Sequence, residues 1–180
     1  MKVVIINGIG GSGKDTFVKF CQELLDAKAD VYPRCLNVST VDYVKEIAAY
    51  CGWSGEKDPA SRKFLSDLKR AMTEWRDLPV QDVKNKLDTY SVATQWYDIK
   101  DCVAFVHCRE PKEIERLVEE LDATTLLIRR DVAESVEQIN ESDNSVLNYT
   151  YDYTVWNNNS LDALRAAAQV FLREYLELDI

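Results

Sequence analysis

The sequence predicts an α/β fold of three layers, in which a parallel five-stranded sheet lies between two layers of helices. Two observations predict this α/β/α arrangement. Short apolar runs bounded by turn residues alternate with longer segments whose apolar residues recur at helical spacing. Strands that alternate with helices form a parallel sheet covered on both faces. At 180 residues, the chain has the length of a single such domain.

The five strands are short. Residues 3–6, VVII, form a β-branched run that is typical of a buried central strand. The remaining strands are predicted at 35–38, 103–106, 124–128 and 153–155.

The helices are longer and more clearly periodic. The first begins at Lys14, and three helical segments then follow the second strand without any strand between them, at 41–51, 64–75 and 80–97. Ser39 and Thr40 are placed to cap the first of these three, and Gly52 to stop it. Later helices are predicted from Pro111 and, as one closing amphipathic helix, over 160–178. We expect 41–97 to be an insertion over the carboxyl edge of the sheet, where ligands of such folds bind.

Composition and charge exclude several classes of function. The net charge of -9 argues against a nucleic-acid partner, which needs a basic face. Five cysteines without a CxxC pair are expected to be mostly buried small hydrophobes in a reducing compartment. The first apolar run is too short for a secretory signal, and no run approaches the length of a membrane helix. We therefore expect a cytoplasmic protein with no membrane partner.

The stretch NGIGGSGKDTF, residues 7–17, carries the strongest motif. Its GxxxxGK pattern lies between a predicted strand and a predicted helix, which is the context that a phosphate-binding loop needs. Glycines allow successive backbone N–H groups to point at one anion, and a lysine adds positive charge for the outer phosphates. A flexible glycine turn with a solvated lysine is the alternative. The predicted phosphate ligands are Gly8, Gly10, Gly11, Ser12, Gly13, Lys14 and Thr16.

Asp15 stands where a hydroxyl residue usually follows the lysine. A carboxylate here could hold Mg²⁺, through water, because that ion keeps several of its waters. It could equally be an acid in the first turn of a helix, favoured by the helix dipole. Thr16 presents its hydroxyl one residue later, suited to an α- or β-phosphate.

Several stretches resemble one family. The GKDT form is similar to the phosphate loops of phage- and bacterial-type deoxynucleoside monophosphate kinases, members of the adenylate-kinase-like P-loop kinases. "YVKEIAAYCGWSGEKDPASRKFLSDL", "VHCREPKEIERL" and "DYTVWNNNSLDALRAA" resemble the family's acceptor-binding helices, its third strand and the segment beside adenine. The resemblance implies a P-loop kinase fold, ATP and Mg²⁺ as cofactors, and γ-phosphoryl transfer to a nucleotide. It also implies that 41–97 binds the acceptor and that 129–150 forms a short lid.

Phosphoryl transfer requires positive charge around the moving group. Arg109 follows the third strand and should project into the cleft, unless it forms a surface ion pair with Glu110 or Glu113. Arg129 and Arg130 end the fourth strand beside the lid, where similar kinases clamp phosphates; residues 131–150 carry no lysine or arginine. We predict Lys14, Arg109 and Arg130 to be catalytic, and Arg129 to bind the cofactor.

The predicted acceptor site contains Ser39, Asp42, Lys45, Arg62 and Arg109. Arg62 fits the family's RK pair, although a solvated helix face is nearly as good an explanation, and Lys63, Lys69 and Arg70 on the same helix are weaker candidates. Asp42 and Lys45 could serve as helix-capping and exposed polar residues instead.

Further positions leave alternatives open. Asn157 and Asn158 are predicted to lie beside adenine. The third strand ends in His107, Cys108, Arg109 and Glu110, without the aspartate that commonly holds the magnesium shell. Either Glu110 shares that task with Asp15, or the metal is held mainly by phosphates and water. His107 is either a packing residue or a cleft residue, and Trp53, Trp75, Trp96 and Trp156 are expected to be core residues more than stacking residues.

Three functions are compatible with these patterns. The first is ATP-dependent phosphorylation of a nucleoside monophosphate. The second is a kinase for another small molecule, dephospho-CoA-like or phosphomevalonate-like, in which Asp42 or Asp15 would act as base. The third is a non-catalytic ATP-binding regulatory protein. A monomer or a homodimer is expected.

Overall fold

The structure is a computed structural model that describes residues 1–27, 31–135 and 146–180. Its strands are β1 (Lys2–Asn7), β2 (Cys35–Ser39), β3 (Val103–His107), β4 (Thr124–Arg129) and β5 (Tyr153–Trp156). Its helices are α1 (Lys14–Asp26), α2 (Asp42–Tyr50), α3 (Pro59–Arg76), α4 (Leu78–Trp96), α5 (Pro111–Leu121), α6 (Asp131–Glu134) and α7 (Leu161–Val170). No described helix is both long and apolar enough to cross a membrane.

The five strands form one parallel sheet in the order β2-β3-β1-β4-β5. The central strand, β1, pairs with β3 and β4, and the register sets Ile6 opposite His107 and Asn7 opposite Leu127. Ser39 at the end of β2 also lies opposite His107. The carboxyl ends of β1, β2 and β3 therefore meet at one edge of the sheet.

Two apolar clusters, one on each face of the sheet, make the fold three-layered. Val4 and Ile6 face a cluster that contains residues of α1 and α7, whereas Val3 and Ile5 face a cluster that contains residues of α4 and α5. This alternation follows from the two-residue period of a strand. The predicted α/β/α fold with a parallel five-stranded sheet is confirmed.

The helical segment between β2 and β3 differs in one respect from the expected insertion. Val80, Val83 and Leu87 of α4 are buried against the sheet, so this helix belongs to an outer layer. Of the three helices in this segment, α2 and α3 contribute residues to the cavity at the carboxyl edge and α4 contributes none. The region over that edge is thus shorter than 41–97.

Element ends show further differences from the sequence prediction. The α-helix of the closing segment ends at Val170, a π-helical turn follows at Phe171–Tyr175, and residues 176–178 are not helical, so the predicted helix over 160–178 extends too far. Val41, not Ser39 or Thr40, is the cap residue of α2. The expected stop at Gly52 is present, with a φ of 94°.

Buried residue types also differ in part from expectation. Four of the cysteines are buried and Cys51 is exposed. Trp75, Trp96 and Trp156 are exposed, so they are not the core residues that their size suggested.

A crevice opens at the carboxyl edge between β1 and β3. The helix after β1 covers one face of the sheet and the helix after β3 covers the other. The chain therefore leaves these neighbouring strands in opposite directions, which is the arrangement that creates ligand sites in open α/β sheets.

Candidate functional site

The loop between β1 and α1 has the backbone of a phosphate cradle. Gly11 and Gly13 adopt φ values of 81° and 92°, which glycine tolerates best, and Gly13 caps α1. A Cβ at Gly8 would lie 2.5 Å from Ser12 Oγ and 2.7 Å from the carbonyl oxygen of Ile128, so no side chain fits there. The loop thus wraps tightly at the N-terminus of a helix, where backbone N–H groups bind anions.

Two asparagines hold this loop. Asn7 accepts the backbone N–H of Gly8 through Oδ1 at 2.9 Å. Asn157, in the turn after β5, donates through Nδ2 to the carbonyl oxygen of Ser12 at 2.9 Å. A Cβ at Gly13 would lie 2.2 Å from Asn157 Nδ2, so glycine leaves the space that this amide occupies. Asn157, predicted beside adenine, contacts the phosphate loop itself.

The turns after β4 and β5 are joined by paired contacts. Arg129 donates to both carboxylate oxygens of Glu134, at 2.9 and 2.5 Å, and its guanidinium lies 4.3 Å from the ring centre of Trp156. Asn158 accepts the N–H of Asp131 and donates to its carboxylate, both at 2.9 Å. Arg129 and Asn158 are therefore engaged within the protein.

The predicted lid is described only in part. Arg130 is exposed and precedes the short helix α6. The segment 136–145 lies outside the described residues. Val146, at the start of the returning segment, is fully buried with Ile9 of the phosphate loop and Leu127.

Lys14 and Asp15 form an ion pair at 2.8 Å, although Asp15 is 86% exposed. The hydrogen bond from Lys14 lowers the pKa of the Asp15 carboxyl below its ordinary value. The carboxylate is therefore ionised at neutral pH and accessible to a cation.

A cavity of about 560 Å³ lies beside these two residues, at the crevice between β1 and β3. Its charged or polar lining residues are Asn7, Lys14, Asp15, Asn37, Ser39, Thr40, Asp42, Lys45, Ser66, Lys69, His107, Arg109 and Glu110. Most of the predicted acceptor residues are thus brought together around one space next to the phosphate loop. Arg62 is not among them and is exposed on α3.

The cavity contains residues that the sequence analysis ranked low or did not single out. Lys69, the weaker candidate on α3, lines the cavity, whereas Arg62 does not. Asn7 and Asn37 also line it and were not singled out from the sequence. Strand-end position was the available signal for Asn7, the last residue of β1, whereas Asn37 is the middle residue of β2 and had no such signal.

His107 is a cleft residue with a fixed ring. Its Nε2 is 2.8 Å from Asn37 Oδ1, which as a carbonyl oxygen can only accept, so Nε2 carries the proton. Burial, reinforced by the charge of Lys14, lowers the pKa of His107 to about 4. The imidazole is neutral at physiological pH and supplies a polar but uncharged wall.

Asp42 and Ser39 join the start of α2 to the sheet. Asp42 Oδ2 accepts the N–H of Ser39 at 2.7 Å, and the Ser39 hydroxyl donates to the carbonyl oxygen of His107 at 3.3 Å. These contacts fix the part of the cavity wall that Ser39 and Asp42 form.

The described residues include no group of three or more histidine, cysteine, aspartate or glutamate side chains that could hold a metal ion alone. Asp15 and Glu110 nevertheless line the same cavity. This arrangement suits Mg²⁺, which is commonly completed by water and substrate phosphates.

A parallel sheet with a GxxxxGK loop between its central strand and the first helix defines a P-loop fold. No protein-family model matches the chain, and no curated protein matches its sequence. Among solved structures, it is similar to a mutant of the APS kinase of Mycobacterium tuberculosis, with 13% identity and a TM-score of 0.43, over 96% of this chain and 97% of the other.

Proposed function

We propose that this protein is a kinase that transfers the γ-phosphoryl group of ATP to a small phosphorylated acceptor, with a nucleoside monophosphate as the first candidate. The observation that carries the proposal is the cavity of about 560 Å³ directly beside Lys14 of the phosphate cradle. A nucleotide held by the cradle would present its outer phosphate to that space.

The cavity has the positive charge that this chemistry needs. Lys14 from α1, Lys45 from α2, Lys69 from α3 and Arg109 after β3 all line it. Cations arranged around a transferring phosphoryl group stabilise its developing charge and hold donor and acceptor in line. We assign Lys14 to the donor, and Lys45 and Arg109 to the acceptor and the moving group.

The chain also fits the cofactors. The tight glycine cradle accommodates phosphate oxygens, and Asp15 and Glu110 would hold Mg²⁺ through its water ligands. Bound Mg²⁺ neutralises charge on the phosphate oxygens.

No general base is needed for an acceptor whose oxygen is already anionic. That oxygen forms a bond to the γ-phosphorus, the bond to the bridging oxygen breaks, and ADP leaves with the electron pair. An alcohol acceptor would instead require a base. Asp42 is less suited to that role because its carboxylate already accepts a hydrogen bond from the Ser39 N–H.

The experiment is a panel of acceptors with ATP and Mg²⁺. It contains the ribo- and deoxynucleoside monophosphates together with small-molecule alcohols and phosphates, and ADP formation is measured against an acceptor-free blank. We expect turnover of at least one monophosphate.

The outcomes separate the three functions. Turnover of none of the monophosphates would refute the first candidate. Turnover of an alcohol alone would favour a small-molecule kinase, and tight ATP binding without any turnover would favour a regulatory protein.

A further inference from the structure

Three ion pairs connect α5 to the two preceding long helices. Glu113 pairs with Lys69 of α3 at 2.7 Å, Arg116 pairs with Asp77 between α3 and α4 at 2.9 Å, and Glu120 pairs with Lys84 of α4. The α5 members are spaced three and four residues apart, so they form one stripe along the helix. The three pairs thus form a ladder that runs from the cavity outward.

The innermost pair differs from the other two in burial. The Lys69 and Glu113 side chains are 17% and 11% exposed, whereas those of Lys84 and Glu120 are 37% and 38% exposed. Removing two charges from water is costly, and a buried ion pair is weak evidence for a stabilising role. Stability alone therefore explains the outer pairs better than the inner one.

The surroundings of the inner pair point toward a ligand. Lys69 lines the cavity, and Cys108 Sγ lies 3.4 Å from the same Glu113 oxygen that accepts from Lys69. Since an ammonium group has three N–H donors and Glu113 accepts one, Lys69 retains donors for a second partner.

We propose that Lys69, oriented by Glu113, binds the phosphate group of the acceptor. This inference rests on the proposed function. In this arrangement Lys69 is a substrate-binding residue and Glu113 is a positioning residue. The Arg116–Asp77 and Lys84–Glu120 pairs hold the helices together without contacting substrate.

The test compares two matched double variants. Lys69→Met with Glu113→Gln removes the inner pair without leaving a buried charge, and Lys84→Met with Glu120→Gln does the same to the outer pair. We expect the inner double variant to raise the KM for the acceptor about 10- to 100-fold, the loss expected for one charge-assisted hydrogen bond. The KM for ATP should stay within about twofold, and the outer double variant should change neither value.

A single variant tests the positioning role of Glu113. Glu113→Gln retains Lys69 but loses its charged partner, and we expect it to raise the acceptor KM while the KM for ATP stays unchanged. Equal effects of the inner and outer double variants on the acceptor KM would overturn the proposal, because a purely structural ladder predicts that result.

Binding of inorganic phosphate to the ADP-loaded protein, measured by calorimetry, separates this inference from the proposed function. Weaker phosphate binding to the inner double variant than to the wild type supports the anion site even if no acceptor is phosphorylated. Equal binding to both proteins, or no binding to the wild type, overturns the site whatever the turnover. Failure of the acceptor panel with an intact phosphate site would refute only the nucleotide acceptor.

Discussion

The two sides of the candidate site are built in different ways. On the donor side, the phosphate loop is held by hydrogen bonds to its own backbone, from Asn157 to Ser12 and from Gly8 to Asn7. On the acceptor side, a large cavity is lined mainly by side chains from several separate elements. The donor side depends on backbone shape, whereas the acceptor side depends on which side chains converge.

This difference predicts where substitutions act. Changes on the donor side should affect every reaction of the protein, because a backbone cradle binds phosphate whatever the acceptor. Changes on the acceptor side should alter the choice and affinity of the acceptor and leave nucleotide binding intact. The following predictions, from the largest expected effect to the smallest, test this division.

Lys14→Ala should cause the largest loss. Removing the cation beside the transferred group should lower kcat by roughly 100- to 1,000-fold, as for other preorganised electrostatic groups. Turnover with saturating ATP measures the effect, and circular dichroism checks that the fold is kept. Wild-type turnover in this variant would refute the mechanism.

Gly13→Ala should damage the cradle itself. The new Cβ would lie 2.2 Å from Asn157 Nδ2 at a φ of 92°, so both the backbone and the amide must shift. We expect roughly 2 to 4 kcal/mol of lost stability in urea unfolding, together with weaker ATP binding.

Gly10→Ala is the matched control within the same loop. A Cβ at Gly10 meets nothing within 4 Å. The free energy of unfolding of the Gly10→Ala variant should differ from that of the wild type by less than about 0.5 kcal/mol. Equal losses of stability for Gly13→Ala and Gly10→Ala would show that the close contact with Asn157 at Gly13 does not matter.

His107 should make the stability depend on pH. Its folded pKa of about 4 lies below the ordinary value of 6.5, so protons favour the unfolded chain. The stability it contributes is complete above pH 6.5 and is lost as the pH falls toward 4.

His107→Gln keeps a donor for Asn37 but does not titrate. Between pH 7 and pH 4 the wild type should lose about 2 to 3 kcal/mol more than this variant, measured by urea unfolding at each pH. Because the carboxylates titrate in both proteins, the difference isolates the imidazole. Parallel pH profiles would show that the ring is not desolvated as described.

Asp15→Ser should have the smallest effect. Asp15 is exposed and pairs only with its neighbour Lys14 among the contacts described above. If the carboxylate serves to place magnesium, serine restores the commoner ligand and kcat should change by a fewfold at most. A large loss at saturating Mg²⁺ would instead indicate an acid–base role.

The fold could be predicted because each of its signals is local. Short apolar runs identified the five strands, helical periodicity identified the helices, and glycine spacing located the phosphate loop. The closing helix was mispredicted because its apolar spacing continues past Val170, while the backbone widens to a π-helical turn at Phe171–Tyr175. Periodicity reports which face is buried and not how tightly the helix is wound.

The acceptor side could be predicted only in part, for a geometric reason. Arg62 and Lys69 are seven residues apart on α3, which sets them on the same face of the helix but about 10 Å apart along its axis. Sequence periodicity gives the face and not the distance along the axis. The packing of α3 against α2 and α4 decides that Lys69 reaches the cavity, where it pairs with Glu113, and that Arg62 lies outside it.

The bond between Asn157 and Ser12 joins residues that are 145 positions apart. The central strand likewise pairs with β3 and β4, which are made about a hundred residues after it. During synthesis, the glycine loop therefore leaves the ribosome long before the turn that supports it. The hydrogen bond that Asn157 gives to this loop therefore forms only after β5 and the turn that follows it have been made.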